Sequence, residues 1–100
     1  MDTATKIIVD EFVGMVVGKF NVEKIILFGS RARGDYNDNS DFDFFIIMNT
    51  STEEIRQAVD IRVSTRNFNY PKDIMLITSE HFNKGFFFKV IYRRRRGSVI

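Results

Sequence analysis

Ile25-Ile26-Leu27-Phe28-Gly29-Ser30-Arg31-Ala32-Arg33-Gly34, followed after a polar loop by Ser40-Asp41-Phe42-Asp43-Phe44-Phe45-Ile46-Ile47, is the part of the chain from which the rest can be read. Four apolar residues run straight into Gly29-Ser30, the pattern of a buried strand that ends abruptly at a turn. Glycine at that point lets the backbone turn sharply and lets a bulky anion approach main-chain N–H groups. Ser30 adds a hydroxyl and stands where it can cap a short helix over 31–34, whose N-terminal dipole favours phosphate. The second run reads as a strand with an unusual flaw. Asp41 and Asp43 are two apart, so in a strand both face one way, while Phe42, Phe44 and Ile46 face the other. Two like charges side by side in an apolar strand are costly unless a cation sits between them. Paired carboxylates suit Mg²⁺, a hard cation commonly shared with substrate phosphates.

Outward from this centre the chain alternates in type. Residues 5–20 predict a helix, with Ile8, Phe12 and Val16 on one stripe and Val9, Val13, Val17 and Phe20 on a second, and with Thr3 or Thr5 as its cap. Gly14 and Gly18, one turn apart, weaken that helix and suggest a close approach to a sheet. A strand is expected from Lys24 to Phe28 and another from Phe42 to Met48, joined through the turn-rich Asp35–Ser40 loop. Ser51-Thr52-Glu53-Glu54 has the form of a capping box opening a helix to about Arg66. Ile55, Ala58, Val59 and Val63 are its expected inward stripe, and Arg56, Asp60 and Arg62 its solvated face. Pro71 ends a loop, and Lys72–Thr78 predicts a third strand opened by Asp73. Phe87/Ile91 and Phe88/Tyr92 are four apart, which predicts a closing helix from about Asn83 to Tyr92. The lone histidine, His81, lacks a second His or a Cys and reads as a surface residue.

A phosphate-cradling Gly-Ser turn shortly before an Asp-x-Asp pair suggests nucleotidyl transfer. Gly29-Ser30, Arg33-Gly34 and Ser40-Asp41-Phe42-Asp43 together resemble the signature of the minimal nucleotidyltransferases of the DNA polymerase β superfamily. The resemblance implies an α/β (α+β) fold, a small mixed sheet flanked by helices, as one domain over residues 1–100. It implies Mg²⁺-dependent transfer of a nucleoside monophosphate such as AMP from an NTP such as ATP to a hydroxyl. Asp41, Asp43 and, by its position on a neighbouring strand, Asp73 would be the catalytic and metal-holding carboxylates. Gly29, Ser30, Arg33 and Ser40 would form the nucleotide-binding group. Arg33 has two readings, on the phosphates or bracing the loop through Asp35 or Asp38, and Ser40 reads more strongly as shaping the turn before Asp41. Many such small proteins are antitoxins paired with a HEPN-type RNase toxin, some of which they inactivate by adding AMP to a tyrosine. Relatives often close with a Glu-Gly element and a final Tyr, whereas this chain has Arg95-Arg96-Gly97-Ser98-Val99-Ile100.

Composition narrows the alternatives. With 44% hydrophobic residues and eleven Phe in 100 residues, there is material for one core and no room for a separate acceptor-binding domain. That weighs against a small-molecule (antibiotic-type) nucleotidyltransferase, except through homo- or hetero-oligomers. A module that masks its toxin by binding alone would need none of the three carboxylates. The absence of cysteine removes disulfides and thiolate metal sites and fits a cytoplasmic protein. No run approaches the ~18 apolar residues of a membrane span. A net charge of +2, no Trp and no zinc-finger spacing give no support for sequence-specific nucleic-acid recognition. The basic excess is local, in Arg93–Arg96, and reads as a solvated end.

Overall fold

The computed structural model describes residues 1–48, 54–78 and 88–94. Helix α1 (Thr3–Val17) leads into strand β1 (Val22–Phe28), then the short helix α2 (Gly29–Arg33) and strand β2 (Phe42–Met48). Helix α3 (Glu54–Ser64) and strands β3 (Lys72–Thr78) and β4 (Phe88–Arg93) follow. The strands form one mixed sheet in the order β3-β2-β1-β4. β1 runs antiparallel to both β2 and β4, whereas β2 and β3 are parallel, as strands joined through a helix can be.

Alternation along the strands separates two faces. Ile25 and Leu27 of β1, Phe42, Phe44 and Ile46 of β2, and Ile74 of β3 pack with Val9, Phe12 and Val16 of α1 and Ile61 of α3 in one core. Phe12 stacks face to face on Phe44 with ring centroids 3.7 Å apart. Phe68, from the loop before β3, closes edge-on against Phe12, Phe42 and Phe44. These rings occupy a site that aliphatic side chains of the same length would leave underfilled.

Several local expectations are corrected. The cap of α1 is Asp2, whose Oδ1 accepts the Thr5 amide at 2.7 Å, so the helix starts at Thr3 and Thr5 is buried inside it. It ends at Val17, with Gly18 as its C-cap, and Gly14 faces open space rather than the sheet. Among the described side chains of α3, Ile61 and, just past the helix, Thr65 are buried and Ala58 is half-buried, while Val59 and Val63 are half exposed; the Ile55 side chain lies outside the described residues. Burying Thr65 is possible because its hydroxyl donates back to Ile61 O at 2.8 Å, so a polar residue lies where an apolar stripe was sought. Arg56, Asp60 and Arg62 are exposed, as the solvated face expected of them, and Arg62 in addition donates through Nη2 to Ile74 O on β3 at 3.0 Å.

The largest correction lies at the end of the chain. Residues 88–92, expected in a helix, belong to β4, which pairs with β1 from Phe28↔Phe88 to Lys24↔Arg93. Phe, Val, Ile and Tyr favour a pleated, half-buried surface, and the free edge of β1 offers the backbone partners. A four-residue spacing of aromatics also fits period-two alternation, so spacing alone could not decide. Arg93 and Arg94 are exposed, with Arg94 N–H donating to Glu23 O at 2.8 Å and its guanidinium to Asn21 Oδ1. The Ser51–Glu53 part of the capping box, His81, the expected helix start at Asn83, and Arg95–Arg96 lie outside the described residues.

Candidate active site

The site grows from the junction of β1 and α2. β1 ends at Phe28, and Gly29 turns the chain with φ 74°, a backbone conformation that L side chains rarely adopt. A Cβ built on Gly29 would lie 2.6 Å from Asp43 Oδ2, so the Asp43 carboxylate occupies the space that any side chain here would take. The Gly-Ser turn and the Asp-x-Asp pair are therefore in contact. Ser30 sits in the first turn of α2 rather than at its cap, which is Phe28 without a side-chain bond. Gly34, with φ 95°, closes α2 by donating its N–H to Ser30 O at 2.8 Å.

Register brings the carboxylates together. Asp43 pairs with Phe28 on one side and with Asp73 on the other, and cross-strand partners share a face. Asp41 lies just before β2 and joins them. Each of Asp41, Asp43 and Asp73 offers an oxygen within 4.8 Å of the others. Asp41 and Asp73 are exposed and Asp43 is half-buried. Burial foremost, then the charges of Asp73 and Asp41, push the Asp43 carboxyl above its ordinary value. A set of hard oxygen donors on one face fits a divalent cation such as Mg²⁺.

Beside the carboxylates opens a cleft of about 290 Å³ lined by Phe28, Gly29, Arg33, Asp43, Phe45, Asp73 and Met75. Phe28 and Phe45 meet edge to face at 4.3 Å, and Met75, next to Asp73 on the same face, is 58% exposed. Arg33 lines this cleft while its Nε donates to the Asp35 carboxylate at 3.3 Å, the loop-bracing contact of the two considered for it from the sequence. Ser40 is engaged in its own turn, its Oγ accepting from Asn37 N–H at 3.0 Å.

Nothing in the sequence marks Arg31 for a role. It is 6% exposed, and its guanidinium carbon lies 4.3 Å from the ring centroids of both Tyr36 and Phe42. Its Nε and Nη2 donate to Ser40 O at 3.3 and 3.2 Å. The available signal was an arginine followed five and eleven residues later by Tyr36 and Phe42, which is too common to stand out.

Residues 9–96 match the nucleotidyltransferase domain family. The chain belongs to that family, which uses a nucleoside triphosphate. Over 41 residues it is 49% identical to a Methanocaldococcus jannaschii protein named "putative protein adenylyltransferase", the match covering 39% of this chain and 41% of that protein. The chain thus spans well under half of this curated relative. In fold it is similar to the crystal structure of a "putative nucleotidyltransferase" from Sulfolobus solfataricus, with a TM-score of 0.69 and 24% identity over 97% of this chain and 91% of that one. Nucleotidyltransferase architecture and a carboxylate triad therefore stand together in one chain. Among the described residues no helix is long and apolar enough to cross a membrane.

Proposed function

We propose that the protein transfers AMP from ATP to a hydroxyl on a partner protein, as the antitoxin of a HEPN-type toxin pair. The observation that supports this reading is the convergence of Asp41, Asp43 and Asp73 against Gly29. Masking a toxin by contact alone requires no such cluster, which is costly in the absence of a cation.

Asp41, Asp43 and Asp73 would hold Mg²⁺, which when bound neutralises phosphate charge and polarises the reacting phosphoryl group. Gly29 and Ser30 bring main-chain N–H and hydroxyl donors to the phosphates, and Arg33 offers a guanidinium to them or to departing pyrophosphate. Ser40 contributes by shaping the turn that delivers Asp41. The acceptor oxygen forms a bond to the α-phosphorus as the α–β bridging bond breaks and pyrophosphate leaves. Asp73, exposed and next to the cleft, receives the acceptor's proton and passes it to water. The apolar lining of Phe28, Phe45 and Met75 supports a protein side chain as acceptor over a polyhydroxylated or polycationic small molecule, which would find few partners there.

The test combines the protein, the HEPN-like product of an adjacent gene, ATP labelled at the α-phosphate and Mg²⁺, and follows label transfer and co-elution separately. Label on the partner supports the proposal. Co-elution and toxin silencing without label from any NTP would replace it with masking. Label on a small hydroxylated acceptor but not on protein would replace it with the antibiotic-type reaction.

A further inference from the structure

We infer that Arg31 is a positioning residue for the carboxylate cluster, clamping the peptide that enters Asp41; the inference rests on the cluster being a divalent-metal site. Asp43 and Asp73 are held by sheet register, each within a hydrogen-bonded ladder. Asp41 is outside that ladder and exposed, so something else must set its direction. The neighbouring peptide groups supply it. On one side Ser40 O, the carbonyl of the Ser40–Asp41 peptide, accepts from both Nε and Nη2 of Arg31. On the other side Phe42 N–H, from the Asp41–Phe42 peptide, donates at 2.8 Å to Pro71 O, two residues before Asp73.

The Arg31 guanidinium is fixed in turn. Its carbon lies over the rings of both Tyr36 and Phe42, and burial leaves it little water. The Tyr36 hydroxyl donates to the carboxylate of Asp2, the cap of α1, which ties the loop to a helix packed in the core. A planar fork that stacks and donates twice to one carbonyl cannot be replaced by lysine, a compact point charge with no flat face. A buried cation used only for stability would be a poor choice, since an apolar side chain fills such a slot at lower desolvation cost. Outer groups that orient metal ligands commonly govern metal affinity.

The test uses the whole chain, Mn²⁺ alone as probe (Kd from its electron paramagnetic resonance signal), and thermal unfolding of the metal-free protein. Arg31→Lys should weaken Mn²⁺ roughly 10–100-fold on the folded protein. Phe12→Leu, a core change away from the loop, should lower Tm while leaving Kd at the wild-type value. If Arg31→Lys fails to fold, Tyr36→Leu, which removes one stacking face and the Asp2 link, should still weaken Mn²⁺ on the order of tenfold. A wild-type Kd in whichever of these two variants folds overturns the inference, even if Tm falls, because Arg31 would then be structural only. A wild type that binds no divalent ion overturns the metal site and the inference together.

Discussion

The two faces of strand β2 divide the molecule's labour. One face presents Phe42, Phe44 and Ile46, all fully buried against α1, α3 and the Phe68 loop. The other presents Asp43 and Phe45 toward the cleft, where Asp73 and Met75 remain exposed. Consecutive residues therefore serve opposite ends. A change at Phe44 should be felt in stability, and a change at Asp43 in chemistry. The sheet can carry a cluster of mutually repelling carboxylates because its other face supplies a well-packed aromatic core.

The sharpest way to break this division is Asp43→Asn. The substitution keeps shape but removes a charge that a divalent cation requires, so transfer of labelled AMP should fall to background. It also removes the repulsion from Asp73 and Asp41, so the metal-free protein should be no less stable. A thermal scan beside the label assay decides the point: a large fall in Tm would mean that the site face also bears the fold.

The mirror experiment is Phe44→Ala. Losing the ring stacked on Phe12 leaves a cavity in the closed face and should cost about 3–5 kcal/mol of unfolding free energy in urea titration. Mn²⁺ affinity of the molecules that remain folded should hold. Equal losses of stability and of affinity would erase the distinction between the faces.

Gly29→Ala probes the place where the two faces meet. A non-glycine residue at φ 74° costs about 1–2 kcal/mol. Its Cβ would in addition press on Asp43 Oδ2, so metal and ATP binding, followed by calorimetry, should weaken along with stability. Wild-type affinity for both ligands would detach the Gly-Ser turn from the site.

Sequence conveyed the parts governed by short-range rules. The strand from Phe42 to Met48, the strand from Lys72 to Thr78 and the carboxylate face follow from alternation and were legible without coordinates. The approach of Asp73 to Asp43 was reachable only through family resemblance, because strand order and register are not local properties. β4 was misread because its fate depends on the vacant edge of β1, which no window of 88–93 contains. Val59 and Val63 of α3 were misread as inward because a threonine that bonds its own helix can be buried beside exposed valines. Arg31 was missed for a similar reason: its burial depends on Tyr36 of the loop and Phe42 at the start of β2 closing over it.

The smallest expected effect compares two carboxylates displaced in opposite directions. The Tyr36 hydroxyl first, then the Thr5 amide, lower Asp2 from 3.8 to about 2. Asp2 ionises more readily in the folded chain, so its stabilisation is present above 3.8 and is lost as pH falls toward about 2. Asp43 is displaced the other way, by burial and then by Asp73 and Asp41. The folded chain holds that proton after the unfolded chain has released it. Its favourable contribution is therefore present below 3.8 and is lost as pH rises through the elevated value. The two windows lie on opposite sides of 3.8, so one series of metal-free unfolding curves from strong acid to neutrality separates them. Tyr36→Phe should flatten the acid limb only, since it removes the hydrogen bond to Asp2. Asp43→Asn should remove the decline on the upper side only, and saturating Mg²⁺ at neutral pH should restore to the wild type what ionising Asp43 took away. Curves for wild type and Asp43→Asn that stay parallel above 3.8 would show that the carboxylate face imposes no electrostatic load on the fold.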